Sequence, residues 1–188
     1  MAQTESESSF GSTALATPAN LVTITRLLIS PFLLVMIASG GASWPAVAFW
    51  ILLTTTDGID GYLARRHGTT SSGAFLDPLA DKVLVLGALA ALVSRDDLSV
   101  LPVVLIGARE LAVSVYRSWL AQRGISVPSR WWAKVKTVFT EVAIGFALLP
   151  LTTDARWWYR GLIWVAVGLT LITGAQYLFE GGKKVRAS

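Results

Sequence analysis

The chain has 188 residues, enough for one domain, and its composition excludes an ordinary soluble protein. Hydrophobic residues make up 53% of the sequence and mean hydropathy is +0.57, whereas charged residues make up only 15%. There is no cysteine, which excludes a disulfide framework and a thiolate metal site. The net charge of +4 is modest and, in a membrane protein, indicates loop topology and anionic ligands rather than nucleic acid.

Residues 1–17 are rich in Ser, Thr, Ala and Glu and have neither an apolar core nor a basic start, so we expect a disordered tail. The apolar segments after it predict six helices, each close to the roughly 20 residues needed to cross a bilayer. Their predicted bounds are 20–39, 44–66, 74–94, 99–121, 131–150 and 157–180. The sequence therefore predicts an all-α integral membrane protein: a membrane domain of six transmembrane helices over residues 18–182, followed by a basic C-terminal tail over residues 183–188.

Lysine and arginine predict the orientation of these helices, because basic loops stay in the cytosol. At one end the basic residues are Arg65, Arg66, Arg123, Arg130, Lys134, Lys136, Lys183, Lys184 and Arg186, and at the other they are Arg95, Arg156 and Arg160. The first end should be cytoplasmic, together with both termini. The Trp pairs at 131–132 and 157–158 fall where interfacial aromatic belts are expected. The predicted location is the cell (inner or plasma) membrane, as a multi-pass protein.

One stretch, residues 57–81, places four carboxylates beside strongly apolar segments. They are Asp57, Asp60, Asp77 and Asp81. Spacings of three and four residues put the two side chains of each pair on one face of a helix. Two helix ends could therefore each present a carboxylate pair, joined by the short polar turn from His67 to Ser72. A polar cavity facing the cytosol would result.

Four like charges near a bilayer need a counter-charge, because each central Asp costs roughly 2.5–3.5 kcal/mol on insertion scales. One or two divalent cations would supply it, and oxygen ligands without His or Cys favour Mg²⁺, Mn²⁺ or Ca²⁺ over zinc. Small residues among the acids would let a helix or ligand approach closely. These are Gly58, Gly61, Ala64 and Gly73. Tight helix packing with Asp residues as caps is the alternative, but capping accounts for one or two acids, not four.

This run resembles the signature of the CDP-alcohol phosphotransferase family, D-x2-D-G-x2-A-R-(about 8)-G-x3-D-x3-D. The matching positions are Asp57, Asp60, Gly61, Ala64, Arg65, Gly73, Asp77 and Asp81. The spacer 66–72 is one residue shorter than in the pattern. It falls in the polar turn, where a deletion disturbs the fold least. Leu76–Lys82 and Asn20–Arg26 are similar to the branch that makes phosphatidylglycerol phosphate. The resemblance covers about residues 18–140, and the last helix adds only hydropathy to it.

Members of the family join a CDP-linked donor to an alcohol and release CMP. The resemblance implies a phosphatidyltransferase of phospholipid biosynthesis that uses CDP-diacylglycerol, glycerol 3-phosphate and Mg²⁺ or Mn²⁺ (two ions), and that forms a homodimer. It implies metal ligation by all four acids, with Asp81 also taking the proton from the acceptor hydroxyl. The donor-binding residues that it implies are Asp57, Asp60, Gly61, Ala64, Arg65, Gly73 and Asp77.

Basic residues of the later helices form a second candidate site. Arg109 and Arg117 lie just over two helical turns apart and share a face, and Arg109 within an apolar helix requires an anionic partner or a water-filled cavity. Glu110 points roughly 100° away, so we expect it to be a poor partner for Arg109. A phosphate suits a guanidinium, which can bind it through two nitrogens. The acceptor-phosphate residues that the resemblance supports are Arg109, Arg117, Lys134 and Lys136.

Several of these residues have a second interpretation. Arg26 in the first helix either contacts the donor's phosphates or snorkels to the membrane surface. Lys134 and Lys136 either bind phosphate or belong to a basic belt at lipid headgroups, and Arg65 could be a topology charge. Two positions depart from the family's residues and could shift acceptor preference: Ala133 and Thr140.

Three alternative functions follow from the same residues. The nearest keeps the chemistry and changes the acceptor, to phosphatidylglycerol in a cardiolipin synthase or to inositol phosphate. A cation channel or transporter could line its path with the acids, but the sequence shows no internal repeat. A structural scaffold is the third. For the enzyme we expect direct transfer, because no Ser, His or Cys constellation indicates a covalent intermediate.

Overall fold

The structure is a computed structural model that describes residues 18–67, 71–125 and 131–187, with side chains described for 20–56, 78–125 and 135–185. The helices are α1 (Pro18–Gly40), α2 (Trp44–His67), α3 (Ser71–Val93), α4 (Val100–Gln122), α5 (Trp131–Leu148) and α6 (Trp157–Ala187), with a 3₁₀ turn at Pro150–Thr152. All regular structure in the described chain is helical, which confirms the predicted class. The six membrane crossings and the cytosol-facing cavity stay predictions.

Helices α5 and α6 do not end at the predicted residues. Helix α5 stops at Leu148 because Leu149 is extended and Pro150 opens the 3₁₀ turn. Helix α6 continues to Ala187, so that the residues predicted as a basic tail, up to Ala187, are helical. The glycine pair at 181–182 does not end α6, because Gly181 lies within the helix against another side chain.

Two helices of the described chain are long and apolar enough to cross a membrane, over Asn20–Gly40 and Trp157–Val185. Only 28% and 33% of their most apolar windows are buried inside the protein. Most of this apolar surface therefore faces outward, as it does in lipid-facing helices. The apolar part of α2, Trp44–Thr56, is shorter. These features are consistent with a membrane protein.

The chain divides into two compact units, Met1–Ala91 and Leu92–Ser188. In the first unit α1 packs on α2, and α3 approaches α1 where Gly87 meets Leu34. A Cβ atom at Gly87 would overlap Leu34 Cδ1, so a larger residue at this position would force the Leu34 side chain to move. The buried apolar residues of this unit's described helices include Leu33, Ile37, Ala46, Trp50, Leu53, Ala80, Leu84, Ala88 and Leu89.

In the second unit α4 and α5 both pack on α6. The buried apolar residues include Ile106, Leu120, Ala143, Ile144, Leu148, Ile163, Ala166 and Val167. The start of α6 is tied to the loop before α4, because Arg160 donates from Nε to the Asp97 carbonyl at 2.9 Å and from Nη2 to the Asp96 carbonyl at 3.0 Å. Helix α6 is thus the element on which this unit is assembled.

Replacing Gly87 by Ala is expected to destabilise the protein by about 1–3 kcal/mol, because overpacking against Leu34 outweighs the gain in helix propensity of up to about 1 kcal/mol. Gly40→Ala is the matched control, since a Cβ there meets nothing within 4 Å. Thermal unfolding in detergent measures both. Leu34→Ala combined with Gly87→Ala should recover part of the loss, and equal midpoints for the two single variants would contradict the packing account.

Candidate active site

The four aspartates of the predicted metal site lie in two helices. Asp57 and Asp60 are in α2, and Asp77 and Asp81 are in α3. The helical spacing on which their pairing depends is therefore present in the backbone. The helices also extend further than expected, since α2 includes His67 and α3 begins at Ser71. The predicted donor residues Gly61, Ala64 and Arg65 lie in α2, and Gly73 lies in α3.

The side chains of this run fall largely outside the described set. Asp81 is described and is half-buried, whereas the side chains of Asp57, Asp60 and Asp77 are not described. Among the side chains that the structure describes, no group of three or more His, Cys, Asp or Glu residues could hold a metal ion. The metal site and the donor pocket therefore stay predictions, supported by the helical backbone.

Helix α1 contains a buried polar stripe in an otherwise apolar sequence. Asn20, Thr23, Arg26 and Ser30 follow one another at helical spacing, and all four are at most 2% exposed. The Ser30 hydroxyl donates to the Arg26 carbonyl at 2.7 Å. Because the Arg26 side chain is buried within the protein, the snorkelling interpretation is wrong for this residue. Its predicted contact with the donor's phosphates stays a prediction.

A charged cluster lies where α4, α5 and α6 meet, and we call it the Glu110 cluster. It consists of Arg109, Glu110, Lys136, Thr170 and Thr173. Arg109 Nη1 donates to Glu110 Oε1 at 2.9 Å, and Lys136 Nζ donates to the same oxygen. Thr170 Oγ1 lies 3.5 Å from it. On its other side Arg109 donates from Nη2 to Thr173 Oγ1 at 3.0 Å.

The expectation that Glu110 is a poor partner for Arg109 is therefore wrong. Neighbouring Cβ atoms on a helix do diverge by about 100°. However, both side chains are long enough to turn toward α5 and α6, where Lys136 and Thr173 supply further partners. Tertiary packing brings the two groups together although helical geometry separates them.

The Glu110 cluster is largely withdrawn from solvent. The exposed fractions of the side chains are 11% for Arg109, 22% for Glu110 and 12% for Lys136. Two cations share one carboxylate, so the cluster retains a net positive charge. A partly buried site with surplus positive charge and guanidinium donors is suited to a phosphate.

The structure brings together two of the four predicted acceptor residues, Arg109 and Lys136. The side chain of Lys134 lies outside the described set, and Arg117 is exposed on α4. Thr140, one of the departures from the family pattern, is buried and donates to the Lys136 carbonyl at 3.0 Å. Thr140 thus bonds to the backbone that carries Lys136.

Sequence reasoning missed the contribution of α6 to this site. The sequence pattern assigns only hydropathy to that helix, yet Thr170 and Thr173 are part of the cluster. A Cβ atom at Gly174 would lie only 2.8 Å from Arg109 Nε. The polar and small residues at 170, 173 and 174, in an otherwise apolar helix, were the available signal.

Comparison with known proteins identifies the class. The family model described as CDP-alcohol phosphatidyltransferase matches residues 16–172, and the chain belongs to this family. The resemblance inferred from the aspartate signature is thereby confirmed.

Individual relatives show which members of this family the chain is similar to. The chain is 39% identical over 183 residues to a "Probable phosphatidylglycerophosphate synthase" of Mycobacterium tuberculosis, covering 94% of this chain and 87% of the relative. It is 34% identical over 172 residues to a "CDP-diacylglycerol--glycerol-3-phosphate 3-phosphatidyltransferase" of Rickettsia felis, covering 88% and 94%. A protein of the same name from Salmonella choleraesuis is 39% identical over 166 residues, covering 84% and 91%.

The Glu110→Ala substitution is expected to destabilise the protein by about 2–3 kcal/mol, because two cations lose their shared partner. The cluster is partly exposed, so the expected loss of stability lies in the lower part of the range measured when one partner of a buried ion pair is removed. Asp154→Asn removes a negative charge from an exposed position and serves as the control. Thermal unfolding in detergent should show a lower midpoint for Glu110→Ala alone. Indistinguishable midpoints would mean that the ionic cluster contributes nothing to stability.

Proposed function

We propose that the protein transfers the phosphatidyl group from CDP-diacylglycerol to glycerol 3-phosphate, giving phosphatidylglycerol phosphate and CMP. The observation that carries this proposal is similarity over 84–94% of the chain to relatives named for this reaction or its product. The Glu110 cluster adds physical support, since it offers Arg109 and Lys136 to a phosphorylated acceptor. The nearest alternatives differ only in the acceptor.

We assign the binding of CDP-diacylglycerol to residues 57–81, the stretch that contains the four aspartates. Proteins of this family generally use divalent metal ions, and four carboxylates without His or Cys suit Mg²⁺ or Mn²⁺. We assign two such ions to Asp57, Asp60, Asp77 and Asp81. When bound there, they would offset the pyrophosphate charge and the charge that develops on departing CMP. Gly61, Ala64, Arg65 and Gly73 complete the proposed nucleotide site.

The proposed chemistry is a single displacement at the phosphorus that bears diacylglycerol. The acceptor's hydroxyl oxygen forms the new bond to phosphorus as the bond to the CMP oxygen breaks. Asp81, half-buried in α3, takes the hydroxyl proton. The acceptor's phosphate is held by Arg109 and Lys136, joined in the proposal by Arg117 and Lys134.

The membrane arrangement is also part of the proposal. The positive-inside distribution supports six crossings with both termini and the aspartate run on the cytoplasmic side. CDP-diacylglycerol would keep its acyl chains in the bilayer, and glycerol 3-phosphate would arrive from the cytosol. The homodimer is proposed from the family resemblance.

The main test follows CMP release by purified protein in detergent with CDP-diacylglycerol and Mg²⁺ or Mn²⁺. Release should require glycerol 3-phosphate, stop on addition of EDTA, and fall by at least about 1,000-fold in Asp81→Asn because ligand and proton acceptor are lost together. Phosphatidylglycerol, inositol phosphate and a reaction without acceptor are the comparisons. Release with a different acceptor would reassign the substrate, and no release from folded protein would favour a transporter.

Direct transfer has a separate test. Without a covalent intermediate, labelled CMP should not exchange into CDP-diacylglycerol when the acceptor is absent, because no phosphatidyl-enzyme forms to react with it. Exchange is followed by chromatography of the lipid fraction. Label in the lipid before any acceptor is added would show a two-step mechanism.

A further inference from the structure

We infer that Glu110 is a positioning residue that holds Arg109 and Lys136 together as one phosphate-binding pair, and that α6 supplies the frame for this pair through Thr173 and Gly174. The inference rests on the proposed function, in which these two cations hold the acceptor's phosphate. It assigns a role to residues outside the family signature.

A shared counter-ion is what allows the two cations to lie close together. Arg109 Nη1 and Lys136 Nζ both donate to Glu110 Oε1. Two positive charges that contact the same oxygen atom lie close enough to repel each other strongly in a poorly solvated site. The carboxylate between them offsets this repulsion. Without its charge the long side chains would separate, and a phosphate would have to bring them back together.

Helix α6 defines where the guanidinium lies. Thr173 Oγ1 accepts from Arg109 Nη2 at 3.0 Å, and this hydroxyl is itself held by donating to the Leu169 carbonyl at 2.8 Å. The same side chain also passes close to Gly174, where a Cβ atom would lie 2.8 Å from Arg109 Nε and 3.1 Å from Cγ. Arg109 is therefore held by Glu110, by Thr173 and by the backbone of α6. As a result, its side chain loses little further conformational freedom when a phosphate binds.

This arrangement predicts where a defect would appear in the kinetics. Displacing Arg109 weakens the hold on the acceptor's phosphate and leaves the binding residues of the donor unchanged. The Michaelis constant for glycerol 3-phosphate should therefore rise while that for CDP-diacylglycerol stays constant. A merely structural role would instead lower the amount of active enzyme and leave both Michaelis constants unchanged.

The first test compares two alanine substitutions in α6. Gly174→Ala should raise KM for glycerol 3-phosphate about tenfold and keep KM for CDP-diacylglycerol within about twofold. Gly168→Ala lies on the same helix, where a Cβ meets nothing within 4 Å, and should change neither constant. Thermal unfolding checks that both variants are folded.

The second test uses Glu110 and decides the question if Gly174→Ala does not fold. Glu110→Gln keeps the length of the side chain and removes its charge, and it should raise KM for glycerol 3-phosphate about tenfold. Glu110→Asp keeps the charge with a shorter reach and should fall between wild type and Glu110→Gln. Folded Glu110→Gln with an unchanged KM, or with only a lower kcat, would overturn the inference.

The outcomes separate this inference from the function on which it rests. A wild-type protein that releases CMP with glycerol 3-phosphate, together with variants whose KM is unaltered, would refute the positioning role alone. A wild-type protein with no release that depends on glycerol 3-phosphate would refute both. The predicted rise in KM in Gly174→Ala and Glu110→Gln, absent from Gly168→Ala, supports both.

Discussion

A charge among apolar helices must be matched by an opposite charge, and the second unit of this protein is built around one such match. The Glu110 carboxylate accepts from Arg109 and Lys136, which lie on two different helices. Removing the carboxylate would leave two cations without their shared counter-charge in a poorly solvated place. The packing of α4 and α5 on α6 and the electrostatics of the proposed acceptor site therefore depend on the same contacts.

The same constraint explains why α6 carries polar and small residues on one of its faces. Its outer surface is apolar enough for lipid, but one face carries Thr170 and Thr173 toward the cluster, and Gly174 and Gly181 admit neighbouring side chains. At Gly181 a Cβ atom would lie 2.7 Å from the Tyr116 hydroxyl, one more point at which α4 presses on this helix. Close approach and polar contact occur on one side of a helix whose other side is exposed and apolar.

The sequence predicted local features of the structure more accurately than features that depend on helix packing. Hydropathy was sufficient to find six helices in the right order, and the aspartate spacing was sufficient to identify the family. Helix ends were less predictable. The last helix was predicted to end at residue 180, yet α6 continues to Ala187 through the glycine pair at 181–182. Burial of Arg26 was also hidden, since a lone arginine in an apolar helix reads equally well as snorkelling.

By itself the sequence determined the helical class and the family, because these follow from hydropathy and from the spacing of the aspartate signature. The candidate donor and acceptor residues came from the resemblance to that family. Only the tertiary structure decided the partners of Arg109. Glu110 is its sequence neighbour and should diverge from it, whereas Lys136 and Thr173 lie 26 residues beyond Glu110 and 64 beyond Arg109. Contacts across such separations depend on how helices pack, and periodicity within one helix does not specify that packing.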